Sequence, residues 1–384
     1  MVKKQLKNKK ILFVITEYWY FISHRINLAY FLHSKGYEIH LLTNLQSNIK
    51  HDERINIINW KLNRGSKNIF NEINSINELS RTIQFIKPNI VYSVGLKPIL
   101  YSSFLSKFKK KLLFVFAFAG LGSLFINLNI KKKIVQYFFF SLLTSFLNKS
   151  NSLIIFQNHD DKNLFNSNIK INYFIKIIKG SGVDTNLYFK KNNLETLDDC
   201  VNVVLPSRFI YDKGIMDFIY IAKELKKKLT KKVNFLLVGM EDNHNPSNIK
   251  LDTLKKFEKK GIIEIIMNVN DITDIYNISD IICFPSFREG LPKVLLEASS
   301  CGIPSVAYNV PGCKEIIDDN INGFLIPFRD KEKMIDKLKI LITDSKLRNK
   351  FGIQARNKII NNFSEEIVFN KIQKELNFLL IRNI

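Results

Sequence analysis

The chain has 384 residues, with 58 Lys and Arg against 35 Asp and Glu, a formal net charge of +23. Hydrophobic residues make up 46% and charged residues 24%. That is the balance of a globular protein and excludes disorder, collagen or coiled coil as a description of the whole. The length predicts two domains of roughly 150–200 residues. The charge is uneven: residues 1–190 carry 28 basic and 9 acidic side chains, a net +19, whereas residues 191–384 carry 30 and 26, a net +4. The whole chain is rich in Lys, Asn and Ile, so drift explains part of the excess but not the asymmetry between halves. A basic half attracts nucleic acid, anionic lipid or phosphorylated substrates. The four cysteines, Cys200, Cys283, Cys301 and Cys313, have no C-x-x-C spacing, so neither a disulfide scaffold nor a zinc ribbon is expected.

In chain order, a basic lead-in (Met1–Lys10) precedes the apolar run Ile11–Ile15, which is too short for the core of a signal peptide and reads as a first buried strand. Phe21–Ser34 has helical spacing and ends at Lys35-Gly36. Strands follow at Tyr37–Leu42, Ile55–Trp60 and Ile90–Ser93. Helices are predicted at Asn74–Ile86, stopped by Lys87-Pro88, and at Pro98–Phe108. Leu112–Ile130 is free of charge over 19 residues, near the length of a membrane span, but its glycines and asparagines favour a buried strand (Leu112–Phe118) and a Gly loop. Ile134–Asn148 is an uncharged, aromatic-rich helix behind Lys131–Lys133. Two readings are open for it: docking on an anionic membrane surface, or a core-facing helix with a solvated Lys cap. Leu153–Gln157 completes the first set of strands.

The pattern restarts at Val201–Leu205, with a helix at Met216–Lys227 and strands at Val233–Val238, Ile262–Ile266, Ile281–Pro285, Pro304–Ala307 and Gly323–Ile326. Short helices near Ile272–Ile278 and from Leu291 to Ser300 are interleaved, and three helices close the chain (Lys331–Asp344, Ser345–Asn361, Ser364–Leu380). Strand–helix alternation predicts parallel sheets, here two doubly wound units. The expected division is 1–190, 191–362, and a final helix in 363–384 packing back on the first domain. Ligands of such sheets bind beyond the carboxyl ends of the strands, and two of them in tandem imply a cleft.

The chemistry gathers in Phe284–Leu325. A strand ends at Phe284, the loop Ser286-Phe-Arg-Glu289-Gly290 follows, and a helix is expected from Leu291-Pro292. Pro in a first helical turn loses no needed donor. The free amides around Gly290 and Leu291, with the helix dipole, suit an anion. Glu289 and Glu297 stand eight apart across the helix start. Two Glu at this spacing are commonly a solvated face; inside EGLPKVLLEA followed by SCGIPSVAYNVPG they suit the hydroxyls of a nucleotide sugar.

This segment resembles the retaining GT-B glycosyltransferases of family 4, whose hallmark E-x7-E is matched by Glu289 and Glu297. Several further segments carry the resemblance: Ser207-Arg208 through Lys213-Gly214, Gly180–Asp184, Val238-Gly239 through Asp242, and Asn322-Gly323. It implies two Rossmann-like domains facing a central cleft. Arg208 and Lys213 would clamp the donor diphosphate, a role suited to a guanidinium fork and a point charge, with Gly239, Gly290 and Leu291 lining the donor site, Glu289 on the sugar and Glu297 on the ribose. Phe21 through His24-Arg25 to Ala29, Gly95 through Lys97-Pro98, and Gly120 through Gly122 resemble a narrower group that extends undecaprenyl-diphosphate glycans of O-antigen, capsule and bacterial N-glycan assembly. They mark His24, Arg25, Lys97, Gly120 and Gly122 as acceptor-side residues. Many members carry a His after the fourth N-terminal strand; here Val94-Gly95-Leu96-Lys97 stands instead, which leaves His24 as a catalytic candidate or a packing residue, and Lys97 as a phosphate contact or an exposed helix-entry Lys.

No D-x-D follows a strand, so the resemblance implies metal-independent chemistry with no cofactor. A hexosyl or N-acetylhexosaminyl unit would pass from a UDP-sugar to a polyprenyl-diphosphate saccharide at the inner face of the cytoplasmic membrane, with an anionic membrane surface as partner. A soluble acceptor or a UDP-sugar epimerase on the same fold are the alternatives. Nucleic acid is a minor one, since no RNA-recognition motif, zinc finger or basic recognition helix is present.

Overall fold

Strand–helix alternation does produce two parallel sheets. The computed structural model describes residues 9–45, 52–62, 68–121, 130–147, 152–169, 174–190, 200–243 and 245–382. Two units divide the chain: residues up to Ser181 together with those from Glu365 onward, and Gly182–Ser364.

In the first unit, strands β1 (Lys9–Glu17), β2 (Tyr37–Asn44), β3 (Ile55–Asn59), β4 (Ile90–Val94), β5 (Leu113–Phe118), β6 (Ser152–Phe156) and β7 (Phe174–Ile177) form one parallel sheet in the order β3-β2-β1-β4-β5-β6-β7. The two-residue period of a strand decides which helices each side chain meets. Ile11, Phe13 and Ile15 join the core that holds α1 (Tyr18–His24), α2 (Ile26–Ser34) and α14 (Glu365–Arg382). Leu12 and Val14 face the opposite core with α3 (Ile69–Ile86), α4 (Leu96–Ser106), α5 (Ile130–Leu147) and α6 (His159–Asn168). Covered on both sides, β5 is buried along its whole length, as a central parallel strand must be. The helix α14 is fastened by apolar and polar contacts alike: Phe369 meets Phe31, Phe378 stacks on Phe174, and Asn377 accepts from the Tyr37 hydroxyl at 2.8 Å.

In the second unit, β8 (Cys200–Pro206), β9 (Lys232–Val238), β10 (Glu264–Ile266), β11 (Ile281–Phe284), β12 (Ser305–Tyr308) and β13 (Gly323–Ile326) are ordered β10-β9-β8-β11-β12-β13, again all parallel. Helices α7 (Ile215–Lys228), α8 (Leu251–Glu258), α9 (Ile272–Ile278), α10 (Lys293–Ser300), α11 (Cys313–Ile316), α12 (Lys331–Thr343) and α13 (Ser345–Asn362) connect or follow them.

Several local expectations change. The periodic segment Phe21–Ser34 is two helices, broken at Arg25, whose φ of −134° and ψ of −13° leave the helical region. The helix α3 starts earlier than its apolar pattern because Asn68 caps it, accepting from the Phe70 amide at 2.9 Å. The helix α10 starts at Lys293; Pro292 is its extended N-cap and does not enter the first turn. The strand β7 and the helices α6 and α11 lie in segments too polar or too short to show a period, while α8, with Leu251, Leu254 and Phe257 three apart and packed on the core, adds to the predicted elements. The helix α5, which holds most of the Ile134–Asn148 segment, is apolar on two faces. Phe140, Leu143 and Leu147 are buried, whereas Ile130, Ile134, Phe138 and Leu142, four apart along the helix, are exposed together with Tyr137. Among the described residues no helix is long and apolar enough to cross a membrane.

Candidate functional site

Each sheet reverses its strand order once, and a crevice at the carboxyl end of such a reversal is where ligands of doubly wound sheets bind. In the second unit the reversal falls between β8 and β11. The loop after β8 carries Ser207, Arg208, Lys213 and Gly214; the loop after β11 carries Ser286, Glu289, Gly290 and Leu291. These two loops are joined by backbone. The Phe287 amide donates to the Asp212 carbonyl at 2.9 Å, and Gly214, in the left-handed region at φ +72°, lies so close to Pro285 that a Cβ would overlap the Pro285 carbonyl oxygen. Only glycine suits both demands.

Across this seam Lys213 Nζ meets Glu289 Oε1 at 2.5 Å, and the Ser286 hydroxyl donates to the same oxygen at 2.6 Å. Arg208 is paired with Asp242, Nη1 to Oδ2 at 2.5 Å, from the loop after β9. Gly239 brings that loop against the carbonyl of Ser207, again with no room for a Cβ. The loop after β12 closes the other side, where Gly312 packs on the carbonyl of Gly290. Arg208, Lys213, Gly239, Glu289, Gly290 and Leu291 thus belong to adjoining loops at one end of one sheet.

Glu297 is different. It sits in the second turn of α10, is buried, and accepts from the Tyr276 hydroxyl at 2.8 Å while Lys293 lies 3.2 Å from its other oxygen. Burial, with the Glu297 charge second, pushes the Tyr188 and Tyr276 hydroxyls well above the ordinary phenol range. Tyr188 is itself pinned: its carbonyl accepts from Ser300 Oγ at 2.6 Å and from Arg356. Burial, helped by the Glu297 charge, also pushes the neighbouring Cys301 thiol up to about 12. Such an array fixes the carboxylate's rotamer.

In the first unit the reversal lies between β1 and β4. Beyond β1 the chain enters α1 without a loop. His24, half-buried at its end, stacks on Tyr20 with ring centres 4.3 Å apart, and its Nδ1 lies 2.6 Å from Ser23 Oγ. Arg25 is 3% exposed; Nη1 donates to the His24 carbonyl at 2.9 Å, and Nε is buried without a partner. Beyond β4, Gly95 takes φ +96° and Lys97 opens α4. Lys97 is not a solvated helix-entry cation: its Nζ meets Glu72 of α3 at 2.8 Å, and the Tyr101 hydroxyl bonds the same carboxylate. Gly120 follows β5 with φ +120°; Gly122 lies outside the described residues. Asp242, Tyr188 and Tyr276 in the second unit and Glu72 and Tyr101 in the first were not legible as partners, because each reaches its functional neighbour through the fold; Ser286 lies three residues before Glu289 in the same loop. Among the described residues no three His, Cys, Asp or Glu side chains are gathered as metal ligands.

The chain is similar to known proteins. Residues 189–358 match the family model described as glycosyl transferases group 1, and residues 10–158 match that described as glycosyl transferase 4-like. The chain is 26% identical over 335 residues to the N,N'-diacetylbacillosaminyl-diphospho-undecaprenol alpha-1,3-N-acetylgalactosaminyltransferase of Campylobacter jejuni, covering 84% of this chain and 86% of that protein. It is 32% identical over 130 residues to the UDP-Gal:alpha-D-GlcNAc-diphosphoundecaprenol alpha-1,3-galactosyltransferase of Escherichia coli, over 34% of this chain and 33% of the relative. Among solved structures, a sucrose-phosphate synthase from Thermosynechococcus elongatus superimposes with a TM-score of 0.82 at 14% identity, covering 98% of this chain and 100% of the other.

Proposed function

The chain belongs to the group 1, family 4-like glycosyltransferases, enzymes of GT-B fold, and from that premise we propose that it transfers a hexosyl or N-acetylhexosaminyl unit from a UDP-sugar to a polyprenyl-diphosphate saccharide, with retention of configuration. The observation that carries this reading is the seam at the second unit's reversal point, where Arg208, Lys213 and Glu289 stand on adjoining loops. In this reading Arg208 and Lys213 take the departing diphosphate together with the amides ahead of α10, so the charge that develops in the transition state meets oriented donors. The transfer is metal-independent. A diphosphate oxygen accepts the acceptor hydroxyl's proton on the face from which the diphosphate leaves, through an oxocarbenium-like transition state. Glu289 holds the sugar's hydroxyls, and Glu297, its rotamer fixed by Tyr276 and Lys293, holds the ribose.

The acceptor falls to the first unit, with His24, Arg25, Lys97, Gly120 and Gly122. The Campylobacter and Escherichia relatives are named for diphospho-undecaprenol substrates, and the latter for UDP-Gal, which supports a lipid-linked acceptor and a uridine donor. The exposed stripe of α5 and the acid-free stretch of 79–159, which holds Lys107, Lys109–Lys111 and Lys131–Lys133, support a peripheral position on the anionic inner face of the cytoplasmic membrane.

The test is a panel of UDP-, GDP- and CDP-sugars, each with and without a synthetic polyprenyl-diphosphate saccharide, the product's anomeric configuration being read by NMR. Transfer of a UDP-sugar to the lipid acceptor with the donor's configuration is expected. Transfer only to soluble sugars, or isomerisation of the donor without any acceptor, refutes the reading. Co-sedimentation with anionic vesicles at low salt tests the membrane partner, and its absence removes that part alone.

A further inference from the structure

Each cation assigned to the diphosphate has a carboxylate of its own. Arg208 is held by Asp242 and Lys213 by Glu289, both at 2.5 Å, so these four side chains have no net charge between them. Glu289 has a duty toward the sugar. Asp242 has none, and a carboxylate beside a diphosphate opposes its binding.

Asp242 is nonetheless built in. Its loop is stitched to that of Arg208: the Ser207 amide donates to Val238 at 2.8 Å, the Phe209 amide to Met240 at 2.8 Å, the Ile249 amide to Phe209 at 2.7 Å, and the Tyr211 amide to Ser247 at 2.8 Å. Asp242 itself is anchored at both ends, its amide donating to Asn248 Oδ1 at 3.0 Å and its carbonyl accepting from the Asn245 amide at 2.8 Å. Gly239, pressed on Ser207, sets the spacing of the two loops. Both ends of the ion pair therefore stand on backbone that cannot drift apart. The side chains of Arg208 and Asp242 keep 35% and 18% exposure, so an arriving anion reaches the guanidinium and meets Asp242 there.

We infer that Asp242 is the counterweight of the diphosphate clamp. It is a positioning residue that holds the Arg208 guanidinium where the leaving group develops and, by competing for it, keeps the nucleoside diphosphate product weakly bound. This rests on the reading of Arg208 as part of the clamp. An interfacial charge pair of this kind trades affinity for release: the guanidinium is shared between a fixed carboxylate and a transient ligand.

Asp242→Asn removes the charge with little change of shape. UDP is then expected to bind about five- to tenfold more tightly by titration calorimetry at low salt, because one repulsive charge beside the diphosphate is gone. Product inhibition by UDP deepens in parallel, and Asp242→Glu restores the wild-type affinity. Asp242→Ser, with the same expected direction, stands in should the Asn variant not fold. Unchanged or weaker UDP binding in the Asn or Ser variant overturns the inference. Arg208→Ala separates it from its premise. If that variant loses UDP affinity while Asp242→Asn gains none, the counterweight alone is wrong; if Arg208→Ala binds UDP as the wild type does, the clamp itself is wrong and the inference falls with it.

Discussion

The two reversal points are equipped differently. In the second unit, glycines with no room for a side chain press four loops together, and Arg208 and Lys213 are each matched by a carboxylate from a neighbouring loop. In the first unit, β1 runs straight into a helix, a guanidinium is buried between two helices, and Lys97 is drawn to a carboxylate on the adjacent α3. One site is made by loops held to a fixed spacing, the other by helices that carry their side chains to it. In the proposed reading, the first construction suits a ligand part common to many donors, the diphosphate, and the second leaves helix faces free to vary with the acceptor.

The contrast can be broken experimentally. The largest effect is expected from Gly214→Ala, where the new Cβ would overlap the Pro285 carbonyl in a left-handed backbone. It should cost about 2–4 kcal/mol of stability in denaturant unfolding; a loss below that range means the seam is not held by close approach. Arg208→Ala should lower turnover by on the order of tenfold or more, as loss of a charge-assisted contact implies. A fall confined to acceptor KM would move Arg208 out of the donor site. Tyr276→Phe takes one donor from a buried carboxylate and should cost about 1–2 kcal/mol, with a raised donor KM as its functional trace. The smallest effect is expected from Lys97→Ala. Its pair with Glu72 is partly exposed, so stability should change by less than about 1 kcal/mol, and the acceptor KM should move while the donor KM does not.

The same contrast explains what could be read from the residues in order. Parallel sheets, their alternation with helices and the E-x7-E segment are local patterns, and they were legible because Glu289, Gly290 and Leu291 sit within a few residues of the strand that positions them. Glu72 lies 25 residues before Lys97, and Asp242 lies 34 residues after Arg208, so no spacing rule pairs them. The break at Arg25 was hidden by an unbroken apolar period, and the start of α3 by a cap that lies outside the period. The outer stripe of α5 was visible as apolar residues but not as exposed ones, because a helix apolar on two faces looks the same in sequence whichever face the core takes.

The return of α14 to the first unit has a consequence for synthesis. The chain leaves that unit at Ser181, builds the second, and comes back at Glu365. On the ribosome the second unit therefore has all its strands before the first has its last helix. Until Val368, Phe369, Ile372 and Leu376 emerge, the face formed by Leu28, Leu32 and their neighbours has no cover. Contacts this distant in sequence form late and leave apolar surface waiting. A chain stopped before Glu365 should yield a second unit that folds and a first unit that aggregates, and supplying residues 365–382 as a separate peptide should rescue its solubility.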